Sequence, residues 1–262
     1  MTEGLPDSVD GFLDRVDTSE KTLLVVNRTR AEEILNLLER GIDEQAVSIV
    51  DRHFPDGTED LVCLVDDGEL TATSSLESLE KAYLLVNADR YRTGTRQIET
   101  GSFPDVLTGL DGIEFTVRGY PESIKEKLLL ILISRFIEFR ALQEGTGTLR
   151  TTFQYLSRLD DEYGTRRVYE WLADTDVTTH VYGVDDDPSA VEDLGVTVHA
   201  GDHEEYHRPW VVVFTPDQSD NGSSTSHAAL VAVETRPNLW RGVWTYDPAL
   251  VEDVEAYVRL RF

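Results

Sequence analysis

The sequence predicts an α/β fold: a mixed sheet or sheets flanked by helices, with a long buried helix at the centre. Three observations lead there. Short apolar runs alternate with helical stretches along the 262 residues. The turn Asp66-Asp67-Gly68 joins two adjacent strand-like runs as a hairpin, which makes the sheet mixed. Residues 121–144, PESIKEKLLLILISRFIEFRALQE, read as one helix that is apolar on every side through its middle.

Taken in order, residues 1–20 form a loose lead with at most a short helix in VDGFLDRV. TLLVVN (22–27) is a buried strand, and residues 28–40 are a helix with Ile34, Leu35, Leu37 and Leu38 at its apolar face, ended by Gly41. Strands follow at 46–51, 60–66 and 69–74, then a short helix at 76–81 leading into a strand, AYLLVN (82–87). Residues 88–110 are polar and Gly-rich, and IEFTVRG (113–119) is the strand before the central helix. That helix has Pro121 at its first position, Glu122 at the positive end of its dipole, and Gly145 as its stop. Ile124, Leu128, Ile131, Leu132, Phe136, Phe139 and Leu142 keep helical spacing. Lys127 and Arg135 bracket a run far shorter than the roughly 20 apolar residues of a membrane span, so the helix belongs in a protein core or is shared with a second subunit.

Gly145-Thr146-Gly147-Thr148 reads as a hinge, and residues 149–163 and 165–175 as two helices broken at Gly164. The last third is strand-rich, at 178–184, 196–200, 209–215, 227–234 and 240–246, with a polar mobile loop or insertion at 216–226. A closing helix starts on Pro248, with Asp247 placed as its N-cap. The chain thus divides into a lead (1–10) and one domain (11–260), either undivided or two packed halves meeting at 145–148.

Fifty acidic residues against 24 basic ones give a net charge of −26. Only Lys21, Lys81, Lys125 and Lys127 among the basic residues are lysines. Such a charge repels itself and is tolerated when salt screens it, and the composition resembles that of salt-adapted archaea. Nucleic-acid binding is disfavoured, since no Lys/Arg cluster is present to meet phosphates. The single cysteine, Cys63, sits in the apolar run LVCLV, which rules out an internal disulfide and fits a reducing cytosol. The first residues carry no apolar signal core.

At the C-terminal end WVVVFTP (210–216), ALVAVE (229–234) and RGVWTYDPALVEDV (241–254) resemble the end of the DICT domain, a family named for its association with diguanylate cyclases and two-component systems. VVNRTRAEEI (25–34), LLVNADRYRTG (84–94), GYPESIKEKLLLILISRFIE (119–138), TLRTTFQYLSRLDDEYGT (148–165) and HVYGVDD (180–186) extend the resemblance over residues 11–260. The chain looks like a free-standing haloarchaeal form of that family. One departure is Val243, where the closing motif often carries a bulky aromatic. The resemblance implies a sensory or signal-relay module with a suggested link to light responses, and it brings no ligand or catalytic residue with it.

Candidate sites come from the residues themselves. Asn27-Arg28 and Asn87 each follow an apolar run read as a strand, and carboxyl ends of strands are where α/β sheets bind ligands; Arg90 and Tyr91 would complete one crevice if the two strands are neighbours. The alternative for these residues is ordinary loop hydrogen bonding. Trp244 and Tyr246 flank Thr245 and point to one face, as core packing or as a pocket wall. His180 and Tyr182 share a face in the same way and read as a satisfied core pair. His199, His203 and His207 have the one metal-like spacing, which supports a metal-dependent hydrolase as an alternative, although Gly201 and Pro209 argue against the continuous helix that would align them.

Several enzyme classes lack their parts. There is no phosphate-binding G-x-x-x-x-G-K-[ST] loop, no G-x-G-x-x-G after a strand, no H-E-x-x-H and no G-x-S-x-G. Asp66-Asp67 lies in a turn, without a second acidic cluster and a lysine to make a phospho-acceptor pocket, and Cys63 in an apolar strand is a poor nucleophile. No cofactor is specified. The expected function is a non-catalytic sensory module that binds a small ligand or a signalling protein; the third reading is an adaptor dimerising through residues 121–144.

Overall fold

A computed structural model describes residues 4–16, 20–29, 47–88, 103–118, 128–160, 164–217, 226–237 and 239–262. Among them the strands form two mixed sheets flanked by helices, the α/β arrangement expected. Residues 30–40 of the helix expected at 28–40, residues 121–127 of the central helix and most of the 216–226 loop lie outside the described residues.

The smaller sheet has the order β2 (Val47–Arg52), β1 (Lys21–Val26), β3 (Leu61–Asp66), β4 (Glu69–Ser75). Strand β1 is parallel to β2 and antiparallel to β3. The β3–β4 hairpin turns on Asp67 (φ 49°) and Gly68 (φ 84°), two left-handed residues that match the twist of the strands. Next comes α1 (Leu76–Ala88), a single helix where the sequence reading placed a short helix and then a strand at 82–87. No Gly or Pro divides Lys81 from Ala82, and Leu76, Leu79 and Ala82 are buried at helical spacing. Lys81 also pairs with Glu77 one turn back, at 2.6 Å. A short apolar run does not by itself tell a strand from a buried helix.

The larger sheet has seven strands in the order β5 (Phe115–Arg118), β11 (Leu239–Thr245), β10 (Ala228–Arg236), β9 (Pro209–Thr215), β6 (Thr146–Tyr155), β7 (Asp176–Val184), β8 (Thr197–Ala200). Strands β6, β7 and β8 run parallel, and every other neighbouring pair is antiparallel. Strand β6 and the 3₁₀ turn Leu156–Asp160 replace the helix expected over 149–163. Leu149, Phe153 and Leu156 have helical spacing, but a strand covered on both faces buries successive residues, and Leu149, Arg150, Thr151 and Thr152 are all buried. The β-branched threonines favour the strand.

The segment 145–148, read from sequence as a hinge, holds the end of the central helix and the start of β6. Gly145 (φ 70°) donates its N–H to the Ala141 carbonyl at 2.9 Å. Thr146 pairs with Asp176 on one side of β6 and Thr148 with Thr215 on the other. Gly147 has φ 119°, and a Cβ there would lie 2.5 Å from the Thr215 carbonyl oxygen, so glycine is required.

One face of the large sheet is covered by α3 (Leu128–Glu144), the described part of the central helix, together with α4 (Thr165–Ala173), while α2 (Asp105–Thr108) packs on β3 and β4 of the small sheet. Their apolar side chains form a continuous core that also takes in Leu23, Val25, Val62 and Leu64 of the small sheet. Leu129, Leu130, Leu132, Ile133, Ile137 and Ala141 of the described turns of α3 are buried within this chain. The opposite face is covered by α6 (Pro248–Arg261) and the 3₁₀ turn Val9–Arg15. The latter corrects the loose lead: Phe12 is buried edge-on against Tyr257 (5.4 Å), and Arg15 meets Asp253 at 2.7 Å. Asp247 caps α6 as expected, its carboxylate accepting from the Leu250 N–H at 2.9 Å.

Candidate functional site

Strands β6 and β9 pair from Thr148↔Thr215 to Thr151↔Val212 and then part. Pro209, with no N–H to offer a ladder, begins β9. The Thr152 hydroxyl bridges the gap, accepting from the Val211 N–H at 2.8 Å and donating to the Pro209 carbonyl at 3.3 Å. Past this point the two strands and α3 enclose a cavity of about 310 Å3 at the carboxyl end of β6.

The helix wall presents Ile131, Ser134, Arg135 and Glu138. A buried stretch of helix can hold charges only if they are paired. Arg135 Nη1 meets Glu138 Oε2 at 2.5 Å, with the two residues 5% and 2% exposed. Thr165 at the start of α4 accepts from Arg135 Nη2 at 2.6 Å, and the Tyr169 hydroxyl donates to Glu138 Oε1 at 3.3 Å. Burial, followed by the Glu138 charge, pushes the Tyr169 hydroxyl far above its ordinary range, so it stays a donor.

The opposite wall is aromatic. Trp210 Nε1 donates to Ser134 Oγ at 3.0 Å, and Ser134 donates in turn to the Leu130 carbonyl at 2.8 Å. Trp240 stands perpendicular to Trp210, with ring centres 5.9 Å apart. Gln154 is tied to the His207 carbonyl (2.6 Å) and to Glu234 Oε2 (3.2 Å). The Thr151 hydroxyl is buried in the lining within reach of the Tyr169 hydroxyl, and its hydrogen bonding opposes the upward push on that group. The hydroxyl of Ser134 is spent on a backbone carbonyl and Glu138 is held by Arg135, so the described lining contains no nucleophile–base pair.

The residues singled out from sequence lie elsewhere. Asn27 and Arg28 share an open cleft of about 300 Å3 with Asp51, Arg52 and His53, at the carboxyl ends of the parallel strands β1 and β2. Asn27 (φ 49°) accepts from the Phe54 N–H at 2.7 Å and donates to the Phe54 and Thr58 carbonyls at 2.8 and 3.3 Å, clamping the 54–58 loop. Arg28 pairs with Asp51 at 2.9 Å. Asn87 is in the last turn of α1, not at a strand end, and Arg90 and Tyr91 lie outside the described residues. Trp244 and Tyr246 do share a face: both donate to the Thr108 carbonyl, at 3.5 and 2.7 Å, and fill the core beside α2. Arg140 lies over the Tyr246 ring at 4.2 Å. Neither ring lines the cavity.

The three histidines do not converge. His199 is on β8, hydrogen-bonded to His180 at 2.9 Å and stacked on Tyr182 at 4.3 Å. His203 packs edge-on against Tyr206, and His207, in the one-turn helix α5 (Glu204–His207), reaches the Asp202 carbonyl. Among the described residues no three His, Cys, Asp or Glu side chains are grouped to hold a metal ion. Under α6, Arg150 donates to Tyr182 (2.6 Å) and to Glu255 (2.7 Å). Burial, then the Arg150 and His199 charges, lower the His180 pKa to about 4 against the opposing effect of Glu255. His180 and Tyr182 therefore form part of a closed polar network.

Arg135, Glu138, Thr151, Trp210 and Trp240 were missed in the sequence. The usable signal was a pair of opposite charges at i and i+3 inside a helix read as buried all round, which implies a partnered site. No helix of the described residues is long and apolar enough to cross a membrane.

No family model matches the chain, and no curated protein matches it. Among solved structures, the polyphosphate kinase of Porphyromonas gingivalis aligns over 96% of this chain and 47% of its own, with 10% identity and a TM-score of 0.29. This chain spans about half of that protein, and a likeness at that TM-score carries no argument.

Proposed function

We propose that this chain is a non-catalytic sensory or signal-relay module whose input is a small ligand held between α3, β6 and β9. The observation that carries the reading is the cavity itself, closed on one side by a helix that packs on both α1 and the large sheet. A ligand there would bear directly on α3, and signalling would follow if two positions of that helix bind it with different affinity. The resemblance to the DICT family supports the sensory class and its suggested link to light. The acid-rich composition and lone buried thiol support a salt-rich, reducing cytosol as the setting.

A thermal-shift screen in molar KCl against nucleotides, cyclic dinucleotides, flavins, retinoids and divalent metals tests this. A ligand at about 100 times its Kd stabilises the fold by about 2.7 kcal/mol. A hit abolished by a bulky substitution in the cavity supports the reading. A hit indifferent to that substitution sinks it.

A further inference from the structure

We propose a second binding site, for a small phosphate group, in the open cleft at the carboxyl ends of β1 and β2. It goes beyond the chamber between α3, β6 and β9 and does not depend on it. The cleft, of about 300 Å3, is lined by Asn27, Arg28, Asp51, Arg52 and His53. Its two strands run parallel and both end there, the place where α/β sheets hold ligands. The floor is fixed. Asn27 leaves β1 in a left-handed conformation (φ 49°), and its N–H donates to the Arg52 carbonyl at 3.0 Å. Its side chain makes three further bonds to the backbone of Phe54 and Thr58. Arg28, Arg52 and His53 each adjoin one of these anchors in sequence and are thereby held around one opening.

Charge selects the guest. The lining carries two arginines and a histidine against one acid, in a chain with 50 acidic and 24 basic residues. Elsewhere that acid excess is drawn onto the arginines: Arg15, Arg150 and Arg241 each meet a carboxylate at 2.7 Å. Arg52 does not. Among the described residues its guanidinium is bonded only to the Asp51 backbone carbonyl, through Nη1 at 3.0 Å. The nearby acids are engaged or stand outside the lining. Asp51 pairs with Arg28 at 2.9 Å, and Asp60 accepts from the Thr29 N–H at 2.7 Å and the Thr29 hydroxyl at 2.6 Å. Asp56 and Glu59 are exposed and do not line the cleft. A planar guanidinium fork takes two oxygens of an anion, and an imidazole N–H beside it takes a third. A tetrahedral phosphate has three oxygens to give and a carboxylate has two. The net charge of −26 repels a polyanion, which limits the guest to inorganic phosphate or a small phosphate monoester.

The test titrates the full chain calorimetrically in 2 M KCl with inorganic phosphate, glycerol 3-phosphate, acetate and glycerol. At that salt the Debye length is below about 3 Å, so loose ionic attraction is screened and binding reports a built site. Saturable one-site binding of the phosphates is expected, with acetate and glycerol silent. Tighter binding of the ester assigns the site to a phosphorylated metabolite, and tighter binding of the free ion assigns it to phosphate itself. Arg52→Gln should weaken binding about tenfold or more, the worth of a hydrogen bond to a charged group. Asp51→Asn removes the acid of the lining and should tighten binding about threefold. A disturbed fold would not move two neighbouring variants in opposite directions. Arg236→Gln takes an exposed arginine from the large sheet and should change nothing. Equal weakening by Arg236→Gln and Arg52→Gln would mean diffuse attraction and overturns the site. Weaker binding in Asp51→Asn, acetate binding as tightly as phosphate, or no saturation with either phosphate overturns it as well. Each of these failures leaves the chamber reading standing, because that reading is tested by a substitution in the other sheet.

Discussion

Replacing Glu138 by Leu should be among the most damaging single changes in α3, and replacing Arg135 at the same time should repair it. The two side chains are 6% and 2% exposed and meet at 2.5 Å, so neither has water to fall back on. Their attraction is on the order of 4 kcal/mol for charges about 4 Å apart at an effective dielectric of about 20. Removing one partner of such a pair costs about 3–5 kcal/mol, because the other charge stays buried. In Glu138→Leu the guanidinium loses its carboxylate and the Tyr169 hydroxyl loses its acceptor. With about 2 °C per kcal/mol for a chain of this size, the melting temperature should fall by roughly 8 °C. The double variant Arg135→Met/Glu138→Leu removes both charges and fills their space with apolar atoms, and should match the wild type or exceed it by about 1–4 kcal/mol. Urea unfolding in 2 M KCl, with m constant across the four proteins, measures the cycle. If the two single losses simply add in the double variant, to within about 0.5 kcal/mol, the charges are not coupled and the argument from a buried ion pair fails.

Three further outcomes are expected. Asp247→Ala removes the cap of α6 and should cost about 1 kcal/mol, with the loss confined to unfolding midpoints; no change would mean the cap is idle. Folding lowers His180 from its ordinary 6.5 to about 4, so the unfolded chain binds more protons in that window and stability is lost as pH falls through it. The urea midpoint of His180→Gln should therefore gain on the wild type between pH 6.5 and 4, and a gap that ignores pH would refute the burial argument. Burial pushes the Cys63 thiol up, so it should react with a disulfide reagent only after denaturant is added; rapid labelling of the native protein would place it at the surface.

Where local chemistry has one solution, the sequence was readable. Asp67-Gly68 permits a tight hairpin, Asp247-Pro248 marks a helix start, and Gly145 marks a helix end. The strands of the last third, each a valine-rich run between polar breaks, could likewise be placed. Residues 82–87 and 149–155 could not, for one shared reason: an element covered on both sides loses the alternation that distinguishes strand from helix. The chamber was hidden more deeply. It exists because β6 and β9 stop pairing after Thr151 and Val212, and a ladder's end is a property of two strands about 60 positions apart. Asn27 and Arg28 were correctly placed at strand ends, since that rule needs only the polarity of one strand, whereas Asn87 inherited an error in the element beneath it.

Lys21 shows what a composition bias leaves untouched. Its ammonium, 5% exposed, donates to the carbonyls of Gly109 (3.1 Å) and Asp111 (2.6 Å) and to Asp111 Oδ1 (3.2 Å), with Asp66 at 3.4 Å. Three donors radiating from a compact point fit that socket, and the longer planar fork of arginine does not. Geometry therefore governs the choice of cation at this position. The socket also sets an order of assembly on the ribosome. Strand β1 emerges early, yet its lysine has no seat until about 90 further residues have followed it out. Nascent chains halted before Asp111 should leave the Lys21 amine open to acylation, and chains halted well beyond it should protect it.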